Sequence, residues 1–316
     1  MTALAIAGCR GEAPAVETVR RVSTGEVVRP GGAALWFGGD VHLGESARGG
    51  LEGITAILGG AAGIVNLEGP VGDGAGGARI DGDGARVWLA NPSTAPAWLR
   101  AHGVVAASIT NNHAGDLGPA GPARTAARLR DGGLVPAGAP TGPARFSVGG
   151  TVVSFLAHEL EEPGLAEALA AELHAAELHG GERTLRAVAL HVTGGRSYLP
   201  SPALRRAVDG ALAGGADIVV VHGTHVLGPV ERRGGAVVAW GLGNLLFDCV
   251  CTGDTEALVL RVAIGPEGPG VAEVIPVTAG LGGAGVTPAA DAEGVFDLLD
   301  ALESSPLTRL GDRAWF

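Results

Sequence analysis

Five apolar runs in this sequence end in residues that can do chemistry. Asp40-Val41-His42 follows Ala34–Phe37, and Asn66-Leu67-Glu68 follows Gly63–Val65. Thr110-Asn111-Asn112-His113, with Asp116 just beyond, follows Val104–Ile109. Ala187–Leu190 ends in His191, and Asp217–Val221 ends in His222-Gly223-Thr224-His225. A lone histidine is most often a satisfied core or surface residue. Imidazoles, carboxylates and amides gathered at several strand ends are instead a donor set for metal. Mixed nitrogen and oxygen donors suit Zn, Mn or Fe better than Mg or Ca. The candidates outnumber the four ligands of a tetrahedral zinc. Two divalent transition metals ~3.5–4 Å apart would use them all, lowering the pKa of a bridging water and clamping a phosphoryl or carbonyl oxygen. His158 is a weaker candidate, and His102, His174 and His179 sit in helix-like segments as surface residues.

Positioning such a set needs strands that end at one edge, where ligands of α/β sheets bind. The runs at Ala34–Phe37, Gly63–Val65, Val104–Ile109, Thr151–Leu156, Ala187–Leu190 and Asp217–Val221 do not alternate with polar residues. That suits strands covered on both faces. Helical patterns fall near 50–60, 94–102, 122–131, 163–178, 202–214 and 292–303, with Pro122, Pro163 and Pro202 near three starts. The last third reads as hairpins, Ala236–Trp240, Ala257–Ile264 and Val271–Val277 between Gly/Pro turns. The expectation is an α/β fold with a mixed sheet or two packed sheets. No internal repeat or linker divides residues 31–316, which read as one domain after a polar tether over 1–30.

The chain has 316 residues and a net charge of −11, with no lysine, and aromatics make up 4%. That argues against a nucleic-acid partner, which needs clustered positive charge or stacking surfaces. No apolar run reaches the ~18–20 residues of a membrane-spanning helix. Leu4-Ala5-Ile6-Ala7-Gly8-Cys9 ends like a lipobox but lacks a basic n-region, so it reads equally as a truncated lipoprotein signal or an ordinary apolar N-terminus. The location is accordingly the cell envelope or the cytoplasm. Cys249 and Cys251 are too close for a good disulfide and read as structural thiols.

Five segments, in order, resemble the CapA family of poly-γ-glutamate capsule synthesis proteins, within the metallophosphatase-like (calcineurin-like phosphoesterase) superfamily. They are Gly39-Asp40-Val41-His42-Leu43-Gly44, Asn66-Leu67-Glu68-Gly69-Pro70 and Thr110-Asn111-Asn112-His113-Ala114-Gly115-Asp116-Leu117-Gly118. The others are Gly215–Glu231, around His225-Val226, and Trp240–Asp248, around Leu242-Gly243-Asn244. The likeness covers about residues 34–280. It implies two packed mixed β-sheets flanked by helices, with the site at the strand ends. It further implies Asp40 and His42 on one metal, Glu68 as the bridging carboxylate and Asn112 on the second metal. His191, His222 and His225 complete the shells. His113 is then the general acid and Asp116 orients it; Asn111 and Arg196 face substrate; Asn244 and Asp248 support the site.

Two departures stand out. The loop after His191 reads Val192-Thr193-Gly194-Gly195-Arg196-Ser197-Tyr198, without the family's Trp-Gly and glutamate. The family's His-Pro-His is replaced by Gly223-Thr224-His225, with His222 one place early. The implied function is a metal-dependent hydrolase acting on a phosphoester or amide bond, in a polymer or a small molecule, alongside other capsule-synthesis proteins. The alternatives are a non-catalytic assembly or export factor with a degenerate metal site, and a tailoring enzyme for an amide-containing metabolite. No Gly-x-Ser-x-Gly elbow or P-loop is present, and Gly241-Leu242-Gly243 lacks the third glycine of a dinucleotide site. Arg79 and Arg86 read as solvated arginines.

Overall fold

A computed structural model describes residues 32–44, 49–72, 79–80, 87–161, 164–177, 184–194, 196–248 and 254–316. The expected tether with Cys9, the Arg79 side chain, Arg86, His179, Cys249 and Cys251 lie outside the described residues. The principal strands, in chain order, are β1 (Ala34–His42), β2 (Ala62–Leu67), β3 (Val104–Ser108), β4 (Val135–Ala137) and β5 (Ala144–Val148). They continue with β6 (Thr151–Glu159), β7 (Thr184–His191), β8 (Ile218–His222), β9 (Val230–Arg233) and β10 (Ala236–Ala239). The last are β11 (Asn244–Phe247), β12 (Glu256–Gly265), β13 (Gly268–Thr278), β14 (Thr308–Leu310) and β15 (Arg313–Trp315). The helices are α1 (Thr55–Leu58), α2 (Ala95–Ala101), α3 (Gly121–Asp131), α4 (Leu165–Glu177), α5 (Pro202–Ala213) and α6 (Ala292–Ala301).

Two mixed sheets result. The larger runs β14-β15-β13-β12-β1-β2-β3-β4, with β11 pairing in parallel along the carboxyl half of β1. The smaller runs β9-β10-β8-β7-β6-β5. Leu35, Phe37, Ile64 and Ala106 of the first sheet bury against Phe155, Ala187, Ala189, Ile218 and Val220 of the second. The opposite face of the large sheet, through Trp36, Val65 and Ala107, packs on Leu58, Leu99 and Leu129 of α1, α2 and α3. That of the small sheet, through Leu156, Val188 and Val219, packs on Leu169, Leu173 and Val208 of α4 and α5. The two-sided burial explains why these strands read as unbroken apolar runs rather than alternating ones. The fold is therefore the expected α/β sandwich of two packed mixed sheets flanked by helices.

Each predicted strand is present, several longer than the apolar run that marks it. The 50–60 pattern shrinks to the four residues of α1, because Gly59 takes a left-handed φ of 60° and Gly60 of 75°, ending the turn. β4, β5, β9, β11, β14 and β15 have no counterpart among the predicted strands; β4 holds Pro136, and β11 is only Asn244–Phe247. β1, β2 and β3 run parallel to one another, as do β6, β7 and β8. Their carboxyl ends therefore carry the polar clusters to one edge of each sheet. Among the described residues, no helix is long and apolar enough to cross a membrane.

Candidate metal centre

Asp40 reaches the centre because β1 gives up regular pairing just before it. The register of β1 against β2 shifts between Phe37 and Asp40. A Cβ on Gly39 would lie 1.9 Å from the Gly243 carbonyl oxygen, so only glycine lets the two backbones approach. The Asp40 N–H donates to that same carbonyl at 3.2 Å. The carboxylate, 1% exposed, then bridges the two sheets. It accepts from Asn66 Nδ2 (2.9 Å) on its own sheet and from the Gly223 N–H (3.1 Å) after β8. His225 Nδ1 is 3.2 Å from its Oδ2, and His222 Nδ1 is 3.5 Å from its Oδ1. Burial pushes the Asp40 carboxyl up, but contacts with His222 and His225 outweigh it and hold the group well below the usual carboxylate range.

Gly223 stands where the resembling family has a histidine, and its geometry shows why. Its φ is +80°, and a Cβ there would sit 2.2 Å from the Val192 carbonyl and 2.7 Å from the His191 ring. One place earlier, His222 closes β8, paired in register with His191 at the end of β7. His191 and His222 are both buried. His225 adopts a left-handed φ of 54° and shares its Nδ1–H between Asn244 Oδ1 (2.9 Å) and Asp40. Its Nε2 lies 3.8 Å from Glu68 Oε1. Burial works against a charged His225, yet Asp40 and Glu68 raise it to about 10.

Glu68 follows β2 directly and is 1% exposed. Burial, then the Asp40 charge, push it up to about 8. His113 is held from one side only: its Nδ1 donates to Asp116 Oδ2 at 2.8 Å, leaving Nε2 at 4.0 Å from Glu68 Oε1. Asp116 thus takes the orienting place that the resemblance implies. Asn111 is buried, donating to Asn66 Oδ1 (3.2 Å) and the Leu67 carbonyl (3.0 Å) while its Oδ1 accepts from the Gly69 N–H (3.3 Å). It continues an amide chain, Asn111 to Asn66 to Asp40, rather than facing open space. Asn112 is exposed on the turn. Arg196 is exposed and ion-paired with Asp254 at 2.9 Å. His158 points to the outer face of its sheet, 3.1 Å from Glu172 of α4.

Asp40, Glu68 and His191 each offer a ligand atom within 4.8 Å of the others. His42 stands outside that trio; its Nε2 donates to the Ala90 carbonyl at 3.1 Å. Burial lowers His42 to about 4 and His191 to about 3, so both rings are neutral and have lone pairs to give. Buried polar atoms without a partner are the test of whether this donor set fits a metal. Here they are His42 Nδ1, Glu68 Oε2 and both ring nitrogens of His191, while His222 Nδ1 has only its 3.5 Å approach to Asp40. Each such atom costs ~1–3 kcal/mol when left unsatisfied. Together they approach the ~5–15 kcal/mol that holds a whole domain folded. Glu68 and one nitrogen of His191 lie, with Asp40, close enough for one divalent cation to satisfy together, so these residues fit the group.

Two supporting residues lie outside the predicted set. Asn66 is visible in retrospect as an amide inside an apolar strand. Asn91, fully buried, carries no such signal; Asn91-Pro92 reads as an ordinary turn.

Known proteins resemble this chain in sequence or superpose on part of it. The family model described as "Bacterial capsule synthesis protein PGA_cap" matches residues 34–249. "PGA biosynthesis protein CapA" of Bacillus subtilis (strain 168) is 38% identical over 63 residues, 20% of this chain and 17% of that protein. The aligned part is thus about a sixth of the curated relative's length. A hypothetical protein from Thermus thermophilus superposes over 78% of this chain and 99% of its own, at 17% identity and a TM-score of 0.47. A 5'-nucleotidase precursor from the same organism superposes over 78% of this chain and 54% of its own, at 14% identity and a TM-score of 0.43.

Proposed function

Because the chain belongs to the bacterial capsule synthesis protein PGA_cap family, we propose that it is a metal-dependent hydrolase of capsule polymer metabolism. The single observation that carries this reading is the convergence of the buried Asp40, Glu68 and His191, whose ligand atoms lie within 4.8 Å of one another, with partnerless atoms on Glu68 and His191. Asp40, Glu68 and His191 would form the first metal position, and His42, His222 and His225 surround it. A second ion would share Glu68 with the first and take Asn112 as a further ligand. When bound, a pair of Zn, Mn or Fe ions supplies a hydroxide-like water and neutralises charge on the attacked phosphoryl or carbonyl group.

The chain's own residues supply the rest. Asp116 fixes the His113 tautomer, so Nε2 faces the Glu68 side and can carry a proton to the leaving oxygen or nitrogen. His225, positive beside the Asp40 and Glu68 carboxyls, offsets their charge within the buried site. Asn66 and Asn111 keep Asp40 aimed across the sheets.

The test is metal content per chain by elemental analysis, on protein purified without chelators, beside His191→Ala. About two transition metals per chain, reduced in the variant, supports the reading, followed by assays on phosphodiesters and γ-glutamyl amides. No metal, and no uptake from added Mn or Zn, leaves a binding or assembly role for the family fold.

A further inference from the structure

We infer that the Leu89–Asn91 segment is a positioning strap for the metal centre, with Asn91 as its anchor; the inference rests on the reading of that cluster as a metal site. Three consecutive residues reach three of the five turns that carry the candidate residues. Leu89 donates its N–H to Asp116 Oδ2 at 2.7 Å, the same oxygen that accepts from His113 Nδ1. The Ala90 carbonyl accepts from His42 Nε2 at 3.1 Å. Asn91 Oδ1 accepts from the Leu43 N–H (2.7 Å), next to His42 in the chain. Asn91 Nδ2 donates to the carbonyls of Glu68 (2.8 Å) and Gly69 (2.9 Å). Its backbone N–H donates to the Pro70 carbonyl at 2.7 Å, where the short strands Asn91–Pro92 and Val71–Gly72 pair.

The strap decides which nitrogen each histidine presents. A neutral imidazole has one N–H and one lone pair. Holding the His42 Nε2–H on Ala90 leaves the Nδ1 lone pair, which is buried and without a partner, as the ligand atom. Anchoring Asp116 on Leu89 holds the His113 Nδ1–H and leaves Nε2 toward Glu68. One segment therefore sets which nitrogen His42 offers to metal and which nitrogen His113 turns toward Glu68, from which His113 gives up a proton only as the imidazolium. Gly69 makes room for it: a Cβ at that residue, where φ is +83°, would press at 3.0 Å on Leu89. Asn91 is 0% exposed, so its amide, with both ends bonded to main chain, serves the interior alone.

Outer-shell groups that orient metal ligands typically change affinity ~10–100-fold when removed. Backbone bonds of Leu89 and Ala90 cannot be deleted by substitution, but the Asn91 side chain can. The experiment measures Zn²⁺ binding to the full chain by calorimetry, and the His42 tautomer in metal-free protein by long-range ¹H–¹⁵N spectra. Asn91→Ala should stay folded, bind Zn²⁺ about 10–100-fold more weakly, and lose the single Nε2–H tautomer of His42. Asn91→Asp, which keeps the acceptor for Leu43 but sets an oxygen against the Glu68 and Gly69 carbonyls, should also weaken binding, and it serves if the alanine variant does not fold. Val71→Ala loosens the same small sheet without removing a hydrogen bond and should bind as the wild type does. Wild-type affinity and tautomer in folded Asn91→Ala would overturn the inference, as would an equal loss in Val71→Ala. A wild-type chain that takes up no Zn²⁺ would overturn the metal reading itself, and the strap with it.

Discussion

Glu68→Gln should stabilise the metal-free chain while abolishing metal uptake, two effects of opposite sign from one atom. Buried at 1% exposure and beside Asp40, Glu68 ionises only near 8 in the folded chain, against 4.5 for a free glutamate. Between these values the folded state keeps a proton that the unfolded chain releases. The stability this group allows is therefore fully present below 4.5 and is lost as pH rises through about 8. At about 1.4 kcal/mol per pH unit, the gap amounts to at most about 5 kcal/mol above pH 8. Glutamine keeps the shape and never ionises. Part of the gain is returned because the Glu68 charge helps hold His225 up, so a net gain of about 2–5 kcal/mol is expected at pH 9. Urea unfolding of chelator-treated wild type and variant at pH 4.5, 6.5 and 9 measures it. The difference should be near zero at the lowest pH, grow through the middle and flatten above 8. A pH-independent difference, or a variant less stable at pH 9, would refute the argument that Glu68 is a buried acid awaiting a cation.

The other titrating groups predict that metal-free protein is most stable near pH 6.5. Above it the raised Glu68 and His225 lose their stabilising protons; below it the buried neutral His42 and His191, lowered to about 4 and 3, oppose protonation that the unfolded chain accepts from 6.5 downward. Melting temperatures across pH 4–9 after chelation check this, and a monotonic profile would count against it. His113→Ala should keep the fold and metal content but lower hydrolysis of an activated phosphodiester about 10²–10⁴-fold; unchanged turnover would remove His113 from the chemistry. Gly223→Ala should cost more than about 1–3 kcal/mol, since it adds a collision with Val192 and His191 to a strained φ of +80°. A wild-type unfolding midpoint would show that the β8 turn relaxes freely.

What the sequence disclosed and what it hid follow from one physical difference. Strands buried on both faces must be apolar until the chain leaves the sheet, so a polar residue after such a run marks where the backbone emerges. That is why Asp40, Glu68, His191 and His222 were legible: each sits at, or just beyond, the carboxyl end of a parallel strand. Asp116 was legible through the family motif it shares with His113, and the two side chains meet at 2.8 Å. The identity of the atoms that meet was not legible. Nothing in the string says that Nε2 of His42 is spoken for by Ala90, or that Asn111, adjacent to the exposed Asn112, turns inward to Asn66. Those pairings join residues 26–48 positions apart through loops whose course local pattern does not encode. The departure at Gly223 carries the same lesson. As sequence it looks like a lost ligand. In space, the glycine amide binds Asp40, a side chain there would collide with His191, and His222 stands 3.5 Å from the carboxylate that the missing histidine would have faced. The altered segment thus still brings an imidazole to Asp40, although the motif itself is not kept.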